Sequence, residues 1–158
     1  MKRNILSIFS LIVVAICAQV ILTASSNGRG FAANSGNTGA PGESTTCRTC
    51  HGTGFGATVS IVIKDTNGAT VSQYVPGDVY DAEFSISSTG ASRYGFQLVS
   101  LNSSNGAING FSSPSANTRL VTLGNGRQYA EHNGKSLTSS FTTKWTAPQS
   151  GTGAVTFY

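Results

Sequence analysis

The sequence predicts an all-β antiparallel sandwich, and three observations carry that expectation. Stretches after residue 57 alternate apolar and polar residues with a period of two. Turn-forming Gly, Asn, Asp and Pro separate them, and no segment after the apolar leader sustains a helical period. In order, Thr58–Lys64 places Val59, Ile61 and Ile63 on one face. Asp65-Thr66-Asn67-Gly68 follows as a turn, with Asn-Gly suited to positive φ. Val79–Ser87 sets Tyr80, Ala82, Phe84 and Ile86 against Asp81, Glu83 and Ser85. Ser88-Thr89-Gly90 turns the chain, and 94–100 aligns Tyr94, Phe96 and Leu98. Weaker strand patterns cover 119–123 and 128–131, and the last two cover 141–146 and 154–158. Short strands with turns between them can bury their apolar faces as two packed sheets, residues 58–158 in all.

Ahead of the strands lies a leader. Lys2 and Arg3 precede an apolar run over 5–22, broken only by Ser7, Ser10 and Gln19, and small residues fill 23–26. A basic start, an apolar core and a small-residue boundary describe a secretory signal peptide over 1–26, cleaved after Ser26. The run is long enough that an uncleaved signal anchor is the alternative. A lipoprotein reading through Cys17 is weakened by Ile16, which stands where a small residue is wanted. Lys2 and Arg3 stay inside in each case. The rest of the chain is therefore expected to be exported, to the periplasm, the cell surface or the medium.

Of the 10 Lys and Arg, removal of Lys2 and Arg3 leaves eight against six acids, near +2. These charges form no run, so nucleic acid is not an expected partner. No nucleophile–base–acid set or paired carboxylates are legible, which argues against an enzyme. Residues 27–46, rich in Gly and with little to bury, are expected to be a flexible linker.

Cysteine usage is more specific. With Cys17 in the leader, Cys47 and Cys50 are the two left, and they sit in Cys47-Arg48-Thr49-Cys50-His51. Cys-x-x-Cys-His is the attachment pattern of c-type haem. Each thiol forms a thioether with one vinyl group, and the spacing lets both sulfurs reach one edge of the porphyrin. The adjacent His is then carried beneath the ring as the proximal iron ligand. Cys47 and Cys50 are thus candidate thioether residues and His51 the candidate proximal ligand. Residues 47–57 form the attachment segment, where Gly52, Gly54 and Gly56 let the backbone bend.

Other readings of the same residues exist. A thioredoxin-type dithiol needs a βαβ context that is not visible. A local disulfide suits an oxidising compartment, and Cys47, Cys50, His51 and His132 could form a Cys₂His₂ zinc set, although adjacent ligands at 50 and 51 strain it. For a haem, residues 27–158 offer no Met, which excludes His-Met ligation within this chain. His132 is the remaining histidine, so the iron is either bis-His, with His132 as distal ligand, or open on one side. The segment is too short to enclose a haem, which would lean on the sandwich with an exposed edge. That exposure suits electron transfer to a separate redox partner protein.

Several motifs occur in a family-like order. They are Tyr74-Val75-Pro76-Gly77-Asp78-Val79-Tyr80, Gly95-Phe96-Gln97-Leu98, His132, Trp145-Thr146-Ala147-Pro148, and Gly151-Thr152-Gly153-Ala154-Val155-Thr156-Phe157-Tyr158. With them the chain resembles the Reeler (reelin amino-terminal) domain family, especially its bacterial choice-of-anchor V members. Those bacterial relatives often carry a segment like Thr38-Gly39-Ala40-Pro41-Gly42-Glu43 before a Cys-x-x-Cys-His. The resemblance spans residues 36–158 and implies an immunoglobulin-like β-sandwich at the cell surface or in extracellular material. In eukaryotic relatives the domain sits beside redox domains or in matrix proteins. The eukaryotic disulfide cysteines are absent here. The pattern stops at Tyr158 in mid-strand, so the family's last strand and anchoring region are expected to have been truncated. Membrane or surface association would then run through the leader or through that C-terminal region. The rival functional class is a non-catalytic surface binding or adhesion module, with a disulfide or zinc at the motif.

Overall fold

The computed structural model describes residues 27–51 and 56–158, with Cys50 described in its backbone alone. The leader and Gly52 and Gly54 of the expected bend lie outside the described residues. Nine strands are present among those described: β1 (Thr58–Lys64), β2 (Val79–Ser87), β3 (Gln97–Leu98), β4 (Ser100–Asn102), β5 (Phe111–Ser112), β6 (Thr118–Thr122), β7 (Gln128–His132), β8 (Ser140–Thr146) and β9 (Val155–Phe157). Two short helices precede them, α1 (Arg29–Ala33) and α2 (Arg48–His51). The strands form an antiparallel sheet in the order β1-β2-β8-β5, a second in the order β3-β7-β6, and a β4-β9 pair. The chain is an all-β sandwich, as its alternation predicts.

Aromatic side chains join the sheets. Phe84 of β2 lies opposite Phe141 of β8, and Tyr80 opposite Trp145. Phe96, on the approach to β3, stacks on Phe84 at 4.6 Å and meets Phe141 at 4.5 Å. Trp145 meets the Phe157 ring edge-on at 5.1 Å. Burying rings of this size stabilises the fold by roughly 1.5–3 kcal/mol each.

Two elements depart from the expected pattern. The strand expected over 94–100 divides because its partner changes. Leu98 still faces Ala130 of β7, but Val99 exchanges both backbone hydrogen bonds with Tyr158, and Ser100 pairs with Phe157. β5 is too short to show a period. Its Phe111 pairs with Trp145, while the Gln128 side-chain amide bonds both the N–H and the carbonyl of Phe111 and bridges β5 to the second sheet.

The larger departure concerns residues 27–46. In β7, Tyr129, Ala130 and Glu131 are all buried. Successive side chains of a strand point to opposite faces, so both faces of the second sheet must be covered. Ala130 packs into the main core with Leu98 and Phe96, whereas Tyr129 joins Val99, Leu101, Leu123 and Ala40 in a second cluster. Ala40 belongs to the segment expected to be a linker. That segment packs over the outer face of the sheet, and its small residues are what permit the close approach. A Cβ on Gly28 would collide with the Glu131 carboxylate, and one on Gly30 would stand 2.6 Å from the Val121 methyl. Glycine there serves backbone proximity to a sheet, where composition suggested flexibility.

Candidate functional site

Gln97, Glu131 and Arg119 lie side by side across β3, β7 and β6 on the outer face. The Glu131 side chain is fully buried. Its carboxylate accepts the N–H groups of Gly30 at 2.8 Å and Phe31 at 2.9 Å, and the Gln97 amide N–H at 3.1 Å. Gly28, the residue capping α1, has no side chain to satisfy the free N–H groups of the first turn. A carboxylate from a strand 100 residues away does so instead. Arg119 closes the same row, with its guanidinium 4.1 Å over the Phe31 ring and bonded to the Asn27 and Asn133 side chains.

The next turn of chain is fixed in the same way. The Gln97 side-chain carbonyl accepts the Asn37 N–H at 2.6 Å. Glu43 accepts the N–H groups of Thr38 and Gly39 and, through its other oxygen, the Tyr129 hydroxyl at 2.8 Å. Burial first, and then the Glu43 charge, pushes the Tyr129 phenol above its ordinary 10.0. A bridge between Thr38 and Thr46 closes the loop. Cys47 then donates its N–H to the Asn37 carbonyl at 3.0 Å, so the cysteine motif begins one residue after a loop anchored to the sheet.

From Cys47 the chain makes a single helical turn, in which His51 N–H reaches the Cys47 carbonyl at 3.1 Å and Thr49 N–H reaches that of Thr46. Positions 47, 50 and 51 have the i, i+3, i+4 spacing that shares one face of such a turn. The Cys47 and His51 side chains are exposed, as are Thr46, Arg48 and Thr49. This arrangement fits a covalent haem lying on the surface with an open edge. Cys47 and Cys50 would hold it by thioethers and His51 would stand at its iron.

His132 is placed elsewhere. It follows Glu131, so its imidazole points to the opposite face of the sheet, the face that carries Phe96 and the core. The Cys47 segment is tied to the outer face. Nδ1 of His132 stands 3.1 Å from the Phe96 N–H and 3.0 Å from the Phe96 carbonyl. That carbonyl already accepts the His132 backbone N–H, whereas the Phe96 N–H has the ring as its partner among the described residues. Leaving a buried N–H unbonded costs about 1–3 kcal/mol, so Nδ1 acts as the acceptor. In the neutral ring the proton then sits on Nε2. Gly95 gives the ring its space, since a Cβ there would stand 2.8 Å from it.

Among the described residues, no three His, Cys, Asp or Glu side chains converge on a metal-sized site. Cys47, His51 and His132 therefore do not assemble the zinc set, in which the Cys50 side chain lies outside the described atoms. No helix among the described residues is long and apolar enough to cross a membrane. Sequence reasoning missed Glu131, Gln97, Asn37 and Glu43. The available signal was polar Gln97 and Glu131 within otherwise apolar strand cores.

The chain is similar to the reeler domain of human F-spondin in two crystal structures, at 19% and 20% identity and a TM-score of 0.48 in each. The match covers 63% of this chain and 73% and 70% of those. It is also similar to the Reelin-N domain of F-spondin, at 20% identity and a TM-score of 0.48, over 63% of this chain and 67% of that one. No family model and no curated protein matches the sequence.

Proposed function

We propose that the protein is an exported c-type haem protein, in which one covalently bound haem mounted on a β-sandwich transfers electrons to and from a partner protein. Cys47 and Cys50 are the thioether residues and His51 the proximal iron ligand. The observation that supports this reading most is the exposed helical turn at Arg48–His51, set on a loop that Asn37, Glu43 and Gln97 anchor to the sheet. A rigid mount under an exposed cofactor suits electron exchange, which needs a fixed distance and an accessible edge. When bound, the haem supplies a one-electron couple. The chain itself positions Cys47, presents His51 and keeps the cofactor on the surface, as an electron carrier and with no catalytic group assigned. The leader places attachment outside the cytoplasm, where haem c is formed.

The test is expression of the full chain in a host with haem c maturation, followed by haem staining of a denaturing gel and a pyridine haemochrome spectrum. A stained band with the spectrum of two thioether linkages is expected. A colourless band overturns the reading and leaves the alternative, a surface binding module with a Cys47–Cys50 disulfide.

A further inference from the structure

The haem reading leaves the second axial position of the iron to be assigned, and the following inference rests on that reading. Within residues 27–158 the side chains able to ligate iron strongly are few. There is no Met, and His132 is the one histidine besides His51. Of the three lysines in that range, Lys64 and Lys144 are engaged with Glu83 and Asp81 at 2.7 Å on the other sheet, and Lys135 stands exposed in the loop after β7.

His132 is engaged too, as a substitute for the backbone. Phe96 and His132 continue the antiparallel register of Gln97 with Glu131, so the Phe96 N–H would ordinarily meet the His132 carbonyl. It meets the imidazole Nδ1 instead. The ring therefore ends the β3-β7 ladder as a cap, with its other nitrogen protonated and unable to donate a lone pair. The sheet itself separates the ring from the outer face, to which the loop leading into Cys47 is tied.

We infer that the chain ligates the haem iron on one side alone, through His51, and leaves the sixth position open to a small diatomic ligand. The site would then bind a gas-like ligand as well as pass electrons, because the exposed turn leaves its outer side accessible. His132 belongs to the fold.

The experiment uses the full chain matured with haem, carbon monoxide as the probe, and two variants. His132→Asn keeps an acceptor oxygen near the place of Nδ1 and removes Nε2, so it preserves the cap and deletes the candidate ligand. His132→Ala removes both. The wild type is expected to show high-spin bands in both oxidation states and to take up one carbon monoxide per ferrous haem. His132→Asn should leave spectrum and uptake unchanged. His132→Ala should also keep the spectrum while lowering the melting midpoint by roughly 5 °C.

A low-spin wild type overturns the inference, and a conversion to high spin in His132→Asn would identify His132 as the ligand after all. Failure of the ferrous protein to bind carbon monoxide overturns it equally. Absence of covalent haem on the stained gel is a separate result, which removes the parent reading and the inference together.

Discussion

The two sheets of this sandwich use the same kinds of residue under opposite conditions. In the β1-β2-β8-β5 sheet burial alternates along β2 and β8, with one face in the core and one in water. Glu83 and Asp81 stand on the wet face and pair with Lys64 and Lys144. In the β3-β7-β6 sheet the alternation disappears at its centre, because residues 27–46 cover the second face. Glu131 there is fully buried, and its partners are N–H groups of the covering layer. A half-exposed ion pair contributes about 0–1 kcal/mol because water and entropy offset it. A buried carboxylate must be fully hydrogen-bonded, and removing it strands its partners. The second kind holds a Gly-rich segment in place, and that segment leads into the cysteine motif.

The comparison can be broken at several points. The largest effect is expected from Phe141→Ala, which opens a cavity where both sheets meet and should cost about 4 kcal/mol in chemical denaturation. It tests the shared core and should leave amide exchange at Gly30 no worse than global unfolding allows. Glu131→Ala comes next, at roughly 3 kcal/mol, from orphaning the Gly30 and Phe31 N–H groups. Hydrogen exchange should show those two amides losing protection before any in β2 or β8. Equal protection in variant and wild type would mean the covering layer does not depend on Glu131.

Tyr129→Phe should cost about 1 kcal/mol by removing the bond to Glu43. This effect carries a pH signature. Burial and Glu43 favour the neutral phenol in the folded state, so its folded pKa lies above the unfolded 10.0. The stabilisation is complete below pH 10.0 and is lost as pH rises through the folded value. The wild type should therefore lose stability relative to Tyr129→Phe in that alkaline range, measured by denaturation at matched pH values. The smallest effect is expected from Glu83→Ala, within about 0.5 kcal/mol and reduced further by salt. A cost there equal to that of Glu131→Ala would erase the distinction between the sheets.

Much of the fold was legible because alternation is a local signal. β1 and β2 have the bounds that their periodicity predicts, and β6, β7, β8 and β9 differ from expectation by a residue or two. β5 escaped because two residues hold no period, and the division of β3 from β4 because a change of partner leaves the alternation intact. α1 is five residues long with a glycine cap, too little for a helical pattern. The candidate site divides in the same way. Cys47, Cys50 and His51 were readable as five contiguous residues. Their support was not, because Asn37 reaches Gln97 across 60 positions and Gly30 reaches Glu131 across 101. Composition also misjudged residues 27–46, since glycine that allows bending and glycine that allows close packing look the same in a sequence. His132 was legible as a candidate distal ligand, and its bond to the Phe96 N–H depends on the pairing of two strands.

The central claim is that Cys47 and Cys50 attach one haem to a turn mounted on this sheet. Intact mass under denaturing conditions tests it most directly, on the full chain from a haem c-maturing host beside its Cys47→Ser/Cys50→Ser variant. One haem per wild-type chain and none on the variant is the expected result. A wild-type chain at apo mass, with the variant differing from it by the two sulfur-to-oxygen changes alone or together with a disulfide's two hydrogens, would contradict the account.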